Sequence, residues 1–144
     1  MTIKILASII FATIIGYERH RSYKEAGVRT HVLVAISTCI LMIISKYGFA
    51  DTEKIDASRV AAGVVSGISF LGAGIIFQRR SRIEGLTNAA GIFATGAIGM
   101  CFGTGMYYLS ICASILTFLF ILISPIFNYN IPHKCCEGFG SHAC

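Results

Sequence analysis

Val60-Ala61-Ala62-Gly63-Val64-Val65-Ser66-Gly67-Ile68-Ser69-Phe70-Leu71-Gly72-Ala73-Gly74-Ile75-Ile76-Phe77-Gln78 carries no charged residue. Its length is close to the roughly 20 apolar residues that a helix needs to cross a bilayer, so the stretch predicts a membrane-spanning helix. Within it Gly63 and Gly67 stand four apart, as do Ala62 and Ser66, and Ser69 and Ala73. Small residues at that spacing line one helix face and let a second backbone come close. Downstream, Thr87, Gly91, Thr95, Gly99 and Gly103 fall at every fourth position and make a second small face. The two faces are expected to pack on each other, joined by the connection Arg79-Arg80-Ser81-Arg82-Ile83-Glu84.

Composition agrees with a membrane solvent. Hydrophobic residues make up 55% of the 144 residues and charged residues 13%, with a mean hydropathy of +0.73. Soluble domains carry about 25% charged residues, so this chain cannot cover a water-facing surface. The net charge of +5 therefore calls for no nucleic-acid partner, because loop charges that set topology and lipid headgroups account for it. Cys39, Cys101 and Cys112 lie in apolar runs, where a free cysteine acts as a small hydrophobe.

Working outward, Ile5–Tyr17 is a first apolar segment, retained as a helix because no small-x-small cleavage site precedes the following charges. A dense two-signed connection, Glu18 to Thr30, follows, and its basic residues set orientation. His31 opens a second span running to about Ser45 and reads as an interfacial residue. The polar connection Lys46–Arg59 contains Asp51, Glu53 and Asp56. Asp56 or Ser58 can cap the third helix, and Asp56 and Arg59 stand at an i, i+3 spacing that permits an ion pair. The third span runs over about Ser58–Phe77 and the fourth over about Leu86–Phe102. Gly103-Thr104-Gly105 marks a turn, and a fifth span starts near Tyr107 and Tyr108 and ends near Ser124-Pro125. The expected fold is an all-α polytopic membrane bundle of about five helices over residues 3–127, with a short Cys/His-containing tail over 128–144.

Counting lysine and arginine orients it. Arg19, Arg21, Lys24, Arg29, Arg79, Arg80, Arg82 and Lys134 fall on one side, and Lys4, Lys46, Lys54 and Arg59 on the other. The positive-inside rule then puts the N-terminus outside and the tail in the cytoplasm. Cys135, Cys136, Cys144, His133 and His142 could ligate zinc, but no Cys-x-x-Cys pair is present, and a reduced flexible tail is the expected reading.

No aspartate or glutamate lies inside an expected span; Glu18, Asp56 and Glu84 stand at the edges. The polar groups at depth are Ser37, Thr38, Ser66, Ser69, Asn88 and Thr95, of which Asn88 is the bulkiest beside a small-residue face. Nothing marks a nucleophile to partner His31, and the glycines form no phosphate-cradling loop. The expectation is a protein without catalytic residues or a cofactor, and with no metal ligands that the sequence can name.

Four ordered motifs carry a resemblance: Gly16-Tyr17-Glu18-Arg19, Lys24-Glu25-Ala26-Gly27-Val28-Arg29-Thr30-His31, Asp56-Ala57-Ser58-Arg59 with Val65–Gly74, and Gly85-Leu86-Thr87-Asn88-Ala89-Ala90. Together they resemble the MgtC/SapB family of bacterial membrane proteins over roughly residues 5 to 124. The resemblance implies an inner-membrane protein that supports growth under magnesium limitation and, in intracellular pathogens, survival inside macrophages. It implies regulation of other membrane proteins, the ATP synthase among them; a magnesium or other cation transporter is the alternative. Its signature falls on Glu18, Arg19, Lys24, Gly27, Arg29, Thr30 and His31 in the first connection. In the central pair it falls on Asp56, Arg59, Gly67, Phe70, Leu71, Gly72, Gly74, Gly85, Leu86 and Thr87, with Asn88 a departure where a threonine is usual. Ala57 replaces a usual proline, and Phe93 stands near where a tryptophan is common. Larger members carry a cytosolic C-terminal domain that this chain is expected to lack, so the short form is the nearer comparison. The partners expected are the lipid bilayer and other membrane proteins, the ATP synthase by the resemblance, with a homo-oligomer as an open alternative and no nucleic acid.

Overall fold

The computed structural model describes residues 1–21, 26–49, 56–79 and 82–128. Among them are five helices: α1 (Thr2–Arg21), α2 (Val28–Tyr47), α3 (Ala57–Ile75), α4 (Leu86–Thr104) and α5 (Tyr107–Asn128). Each is roughly 30 Å long at ~1.5 Å per residue. Four of them, α2 to α5, are long and apolar enough to cross a membrane. The fifth, α1, has the length but carries Lys4, Glu18, Arg19 and Arg21 near its ends. Between α3 and α4 the expected connection is a short antiparallel hairpin of β1 (Phe77–Arg79) and β2 (Arg82–Glu84), with Phe77 opposite Glu84 and Gln78 opposite Ile83. The fold is an all-α membrane bundle with this one extended appendage.

The packing hierarchy departs from the expected one. The most extensive pair is α2 with α4, and α4 also touches α1, α3 and α5. Half of α4's apolar window is buried, against 17% for α3 and for α5, so α4 is the central helix. Its small face packs on α2. A Cβ on Gly99 would collide with Thr38 Oγ1 and stand 2.6 Å from Ala35 O. At Gly103 it would be 2.6 Å from Cys39 O. Missing side chains thus let the two backbones meet.

The expected pairing of that face with Gly63 and Gly67 is corrected. Gly63, Gly67 and Gly74 have nothing within 4 Å of an added Cβ. α3 turns a different side to α4: Val64 and Ile68 are buried with Ile92 and Val34, and Gly72 approaches Ala89. In lipid, helices associate through close van der Waals packing, and the interlocked side chains of Val64, Ile68, Ile92 and Val34 supply those contacts on this side of α3. Gly63 and Gly67 instead line an open apolar groove with Leu33, Val34 and Leu41, of about 590 Å³.

A second correction concerns the first connection. α1 continues through Arg21, so Glu18 and Arg19 are helical residues. Ser8, Ala12, Ile15 and Arg19, spaced four, three and four, form its buried face. The helices α1 and α2 approach closely at Gly16, where a Cβ would be 2.7 Å from Val28 Cα. α2 begins before His31, with Gly27 as its N-cap. Lys24 lies outside the described residues.

Glycine conformation sets both ends of α4. Gly85 precedes it at φ 92° and Gly105 follows it at φ 90°. At the latter end Gly105 N–H donates to Phe102 O (3.1 Å) and Met106 N–H to Cys101 O (3.0 Å), a Schellman closure that needs the left-handed residue. Lys4 Nζ and Lys46 Nζ donate to Gly103 O (3.1 Å) and Thr104 O (2.9 Å), placing cations at the helix's negative end. Phe11 stacks on Phe102 with centroids 5.5 Å apart in a core with Ile15, Cys39, Ile98 and Ile121. The exterior is apolar, with Leu6, Ile10, Leu33, Phe70, Leu116 and Phe120 exposed, as lipid requires.

Candidate functional site

The end of the bundle where α1 finishes and α2 and α4 begin holds a buried polar cluster. Arg19, His31, Asn88 and Thr95 are all buried there, with His31 and Thr95 at 1% and 0% exposure. On α4, Asn88, Gly91 and Thr95 share one face by their three- and four-residue spacing. His31 is supplied by the first turn of α2 and Arg19 by the last turn of α1.

Thr95 Oγ1 donates to Gly91 O at 2.9 Å and lies 2.8 Å from His31 Nδ1. A hydroxyl has one proton, so with that proton on Gly91 O it accepts from His31 Nδ1–H. The imidazole is therefore held in one tautomeric orientation by a hydroxyl from another helix. His31 and Arg19 both lie over Gly91, where an added Cβ would make only ordinary contacts. A Cβ there would meet His31 Cε1 at 3.5 Å and Arg19 Nε and Nη2 each at 3.7 Å. Imidazole and guanidinium converge over a residue without a side chain. Arg19 Nε is buried and has no hydrogen-bond partner.

These positions correct two expectations. His31 is a packed residue with a specific partner, since a ring enclosed by α4 must place its polar atoms on protein groups. Arg19 is in the helical bundle and does not display its side chain as a surface would; Arg29 is exposed and Thr30 half-buried. Thr95 is the partner of His31 that sequence spacing alone does not single out. Its four-residue offset from Gly91 was visible, but the His31 partner was not.

The remaining signature residues are dispersed. Asp56 caps α3 at the opposite end, its Oδ1 accepting from Ser58 N–H at 2.9 Å, and no ion pair with Arg59 forms. Hydrogen bonding by the Ser58 side chain, and then by its backbone N–H, holds the Asp56 carboxyl below its ordinary value. Phe70 is 81% exposed, and Leu71, Leu86 and Thr87 are exposed as well. Gly72 is buried against Ala89, while Gly67 and Gly74 are open. Gly85 is a conformational residue: its Cβ would collide with Ile75 O. Among the described residues no group of three or more His, Cys, Asp or Glu side chains could hold a metal ion. The Cys/His tail lies outside the described residues.

The fold and the cluster define a multi-pass helical membrane protein with a cationic, histidine-containing polar centre at one end. Residues 5–129 match the model of the MgtC family. The chain belongs to that family. It is 43% identical over 143 residues to the Escherichia coli strain K12 protein named "Putative magnesium transporter YhiD", covering 93% of this chain and 66% of that one. It is 34% identical to protein SrpB of Synechococcus elongatus, over 83% of this chain and 71% of SrpB. Protein MgtC of Brucella abortus is 37% identical over 69% of this chain and 40% of its own length. The chain thus spans just under two thirds of YhiD and a smaller share of the Brucella protein. No solved structure matches it.

Proposed function

We propose that this protein is a regulator in the bacterial inner membrane that supports growth when magnesium is scarce. It acts by binding another membrane protein, the ATP synthase being the first candidate, and contributes to survival inside host cells. The observation that carries this reading is the buried Arg19 guanidinium beside His31. A magnesium pathway needs oxygen ligands that replace water around a hard dication, and a fixed cation in the bundle opposes its passage. Magnesium enters through the name of the relative YhiD. The basic end of the bundle faces the cytoplasm, with the N-terminus outside. No catalysis is assigned to it. Its contact surface is the exposed side of this basic end, where Arg29 stands free of the core.

The name of YhiD favours a second reading, transport of magnesium or another cation, with Asp56 and Glu84 at the two mouths. Both are exposed and stand at opposite ends of α3. Reconstitution separates the two. A regulator in liposomes passes no magnesium above empty vesicles, yet restores growth of a deficient mutant in magnesium-poor medium. Arg29→Glu abolishes that rescue at unchanged protein level. Saturable magnesium flux that Asp56→Ala removes would reject the regulator and establish the transporter.

A further inference from the structure

Arg19 also lines a cavity that the polar cluster does not fill. This space, of about 380 Å³, lies between the end of α1, the first half of α4 and the second half of α5. We propose that it binds an anionic phospholipid, with the lipid phosphate on the Arg19 guanidinium and an acyl chain along α4 and α5.

Three observations carry this assignment. First, the guanidinium is charged at every accessible pH, is 7% exposed, and leaves Nε buried without an acceptor. Whatever Glu18 contributes beside it, that donor is unmet within the protein. A buried N–H on a cation is the group whose desolvation most needs an anionic acceptor.

Second, the walls change character with depth. Thr87, in the first turn of α4, brings a hydroxyl at the same end as Arg19, whereas Ala94 lies about two turns deeper, roughly 10 Å along the axis. Opposite stand Leu116 and Phe120 of α5. Arg19 and Thr87 put the charge and one hydroxyl at the membrane-surface end, and below them the lining is apolar apart from the Thr117 hydroxyl of α5, an arrangement that suits a lipid headgroup above its acyl chain.

Third, it opens sideways. Leu116 and Phe120 are 66% and 69% exposed on the apolar exterior, so the entrance faces the bilayer. A free inorganic anion has no use for that apolar floor, and a partner's acidic helix would have to displace lipid to reach it. The binding is independent of whether the protein regulates a partner or moves ions.

The test uses the full chain purified in a neutral detergent, with bound lipid counted by native mass spectrometry. Titration compares phosphatidylglycerol with phosphatidylcholine, and excess inorganic phosphate is added as a competitor. The expected result is retained phosphatidylglycerol in preference to phosphatidylcholine, unaffected by inorganic phosphate. Arg19→Gln should weaken binding roughly tenfold or more, the loss expected for one charge-assisted hydrogen bond. Ala90→Leu narrows the cavity from an exposed wall position without burying a charge, and should lower retention where Arg19→Gln fails to fold. Equal retention of the two lipids, unchanged binding in Ala90→Leu, or displacement by inorganic phosphate would each overturn the assignment.

Discussion

Replacing Gly99 by alanine separates the observed packing from the one that sequence spacing suggests. Both Gly67 and Gly99 sit in small-residue stripes, and spacing treats them alike. In the structure a Cβ at Gly67 meets nothing within 4 Å, whereas at Gly99 it collides with Thr38 Oγ1 and stands 2.6 Å from Ala35 O and 3.1 Å from Ala35 Cα. Ordinary contact begins at 3.4 Å, so relieving the carbonyl overlap needs about 0.8 Å of separation between α2 and α4. Ala35 O and Ala35 Cα are backbone atoms, which cannot swing aside as a side-chain end can. Overpacking of this kind costs about 1–3 kcal/mol, while Gly→Ala at an open helix-interior position gains about 0.5–1 kcal/mol of helix propensity. Unfolding of the purified variants in detergent, followed by helical circular dichroism against temperature, reads the difference. Gly99→Ala should melt below the parent, while Gly67→Ala, which meets no clash and gains helix propensity, should melt at or above it. Equal midpoints for the two variants, or a larger loss at Gly67, would refute the α2–α4 arrangement.

Two further outcomes are expected. Thr95→Val removes the acceptor of His31 Nδ1–H while keeping the shape, and should cost about 1–3 kcal/mol through the orphaned buried donor; adding His31→Leu should recover part of it, and additive losses in the double variant would count against the hydrogen bond. Asp56, whose folded carboxyl lies below its unfolded value because Ser58 bonds the charged form, contributes stability that is complete above the unfolded pKa and disappears as pH falls through the folded one. Asp56→Asn should therefore flatten that part of the acidic stability profile, and an unaltered profile would show that the cap carries no linked proton.

Much was legible in the chain itself. The number and approximate limits of the helices follow from uncharged runs of bilayer length, because lipid forbids unpaired backbone groups and a helix satisfies them within one segment. Gly103-Thr104-Gly105 announced the turn into α5, since a left-handed closing residue favours glycine for a local reason. Asp56 as the α3 cap is local in the same sense, reaching only two residues ahead.

What the sequence could not decide is which small face meets which helix. Spacing makes the Gly63–Gly67 and Gly99–Gly103 stripes equivalent, and only the three-dimensional arrangement gives α2 to one and leaves the other facing a groove. Nor could it show that Arg19 is enclosed. A charged residue beside Glu18 and Arg21 reads as part of a solvated connection until α1 is seen to continue past it and turn its Ser8–Ala12–Ile15 face, with Arg19, toward α2 and α4. The His31–Thr95 contact joins residues 64 apart in the chain. Local spacing determines which side chains share a helix face; the partner of that face depends on how all five helices divide the buried area among them, and that division belongs to the tertiary structure alone.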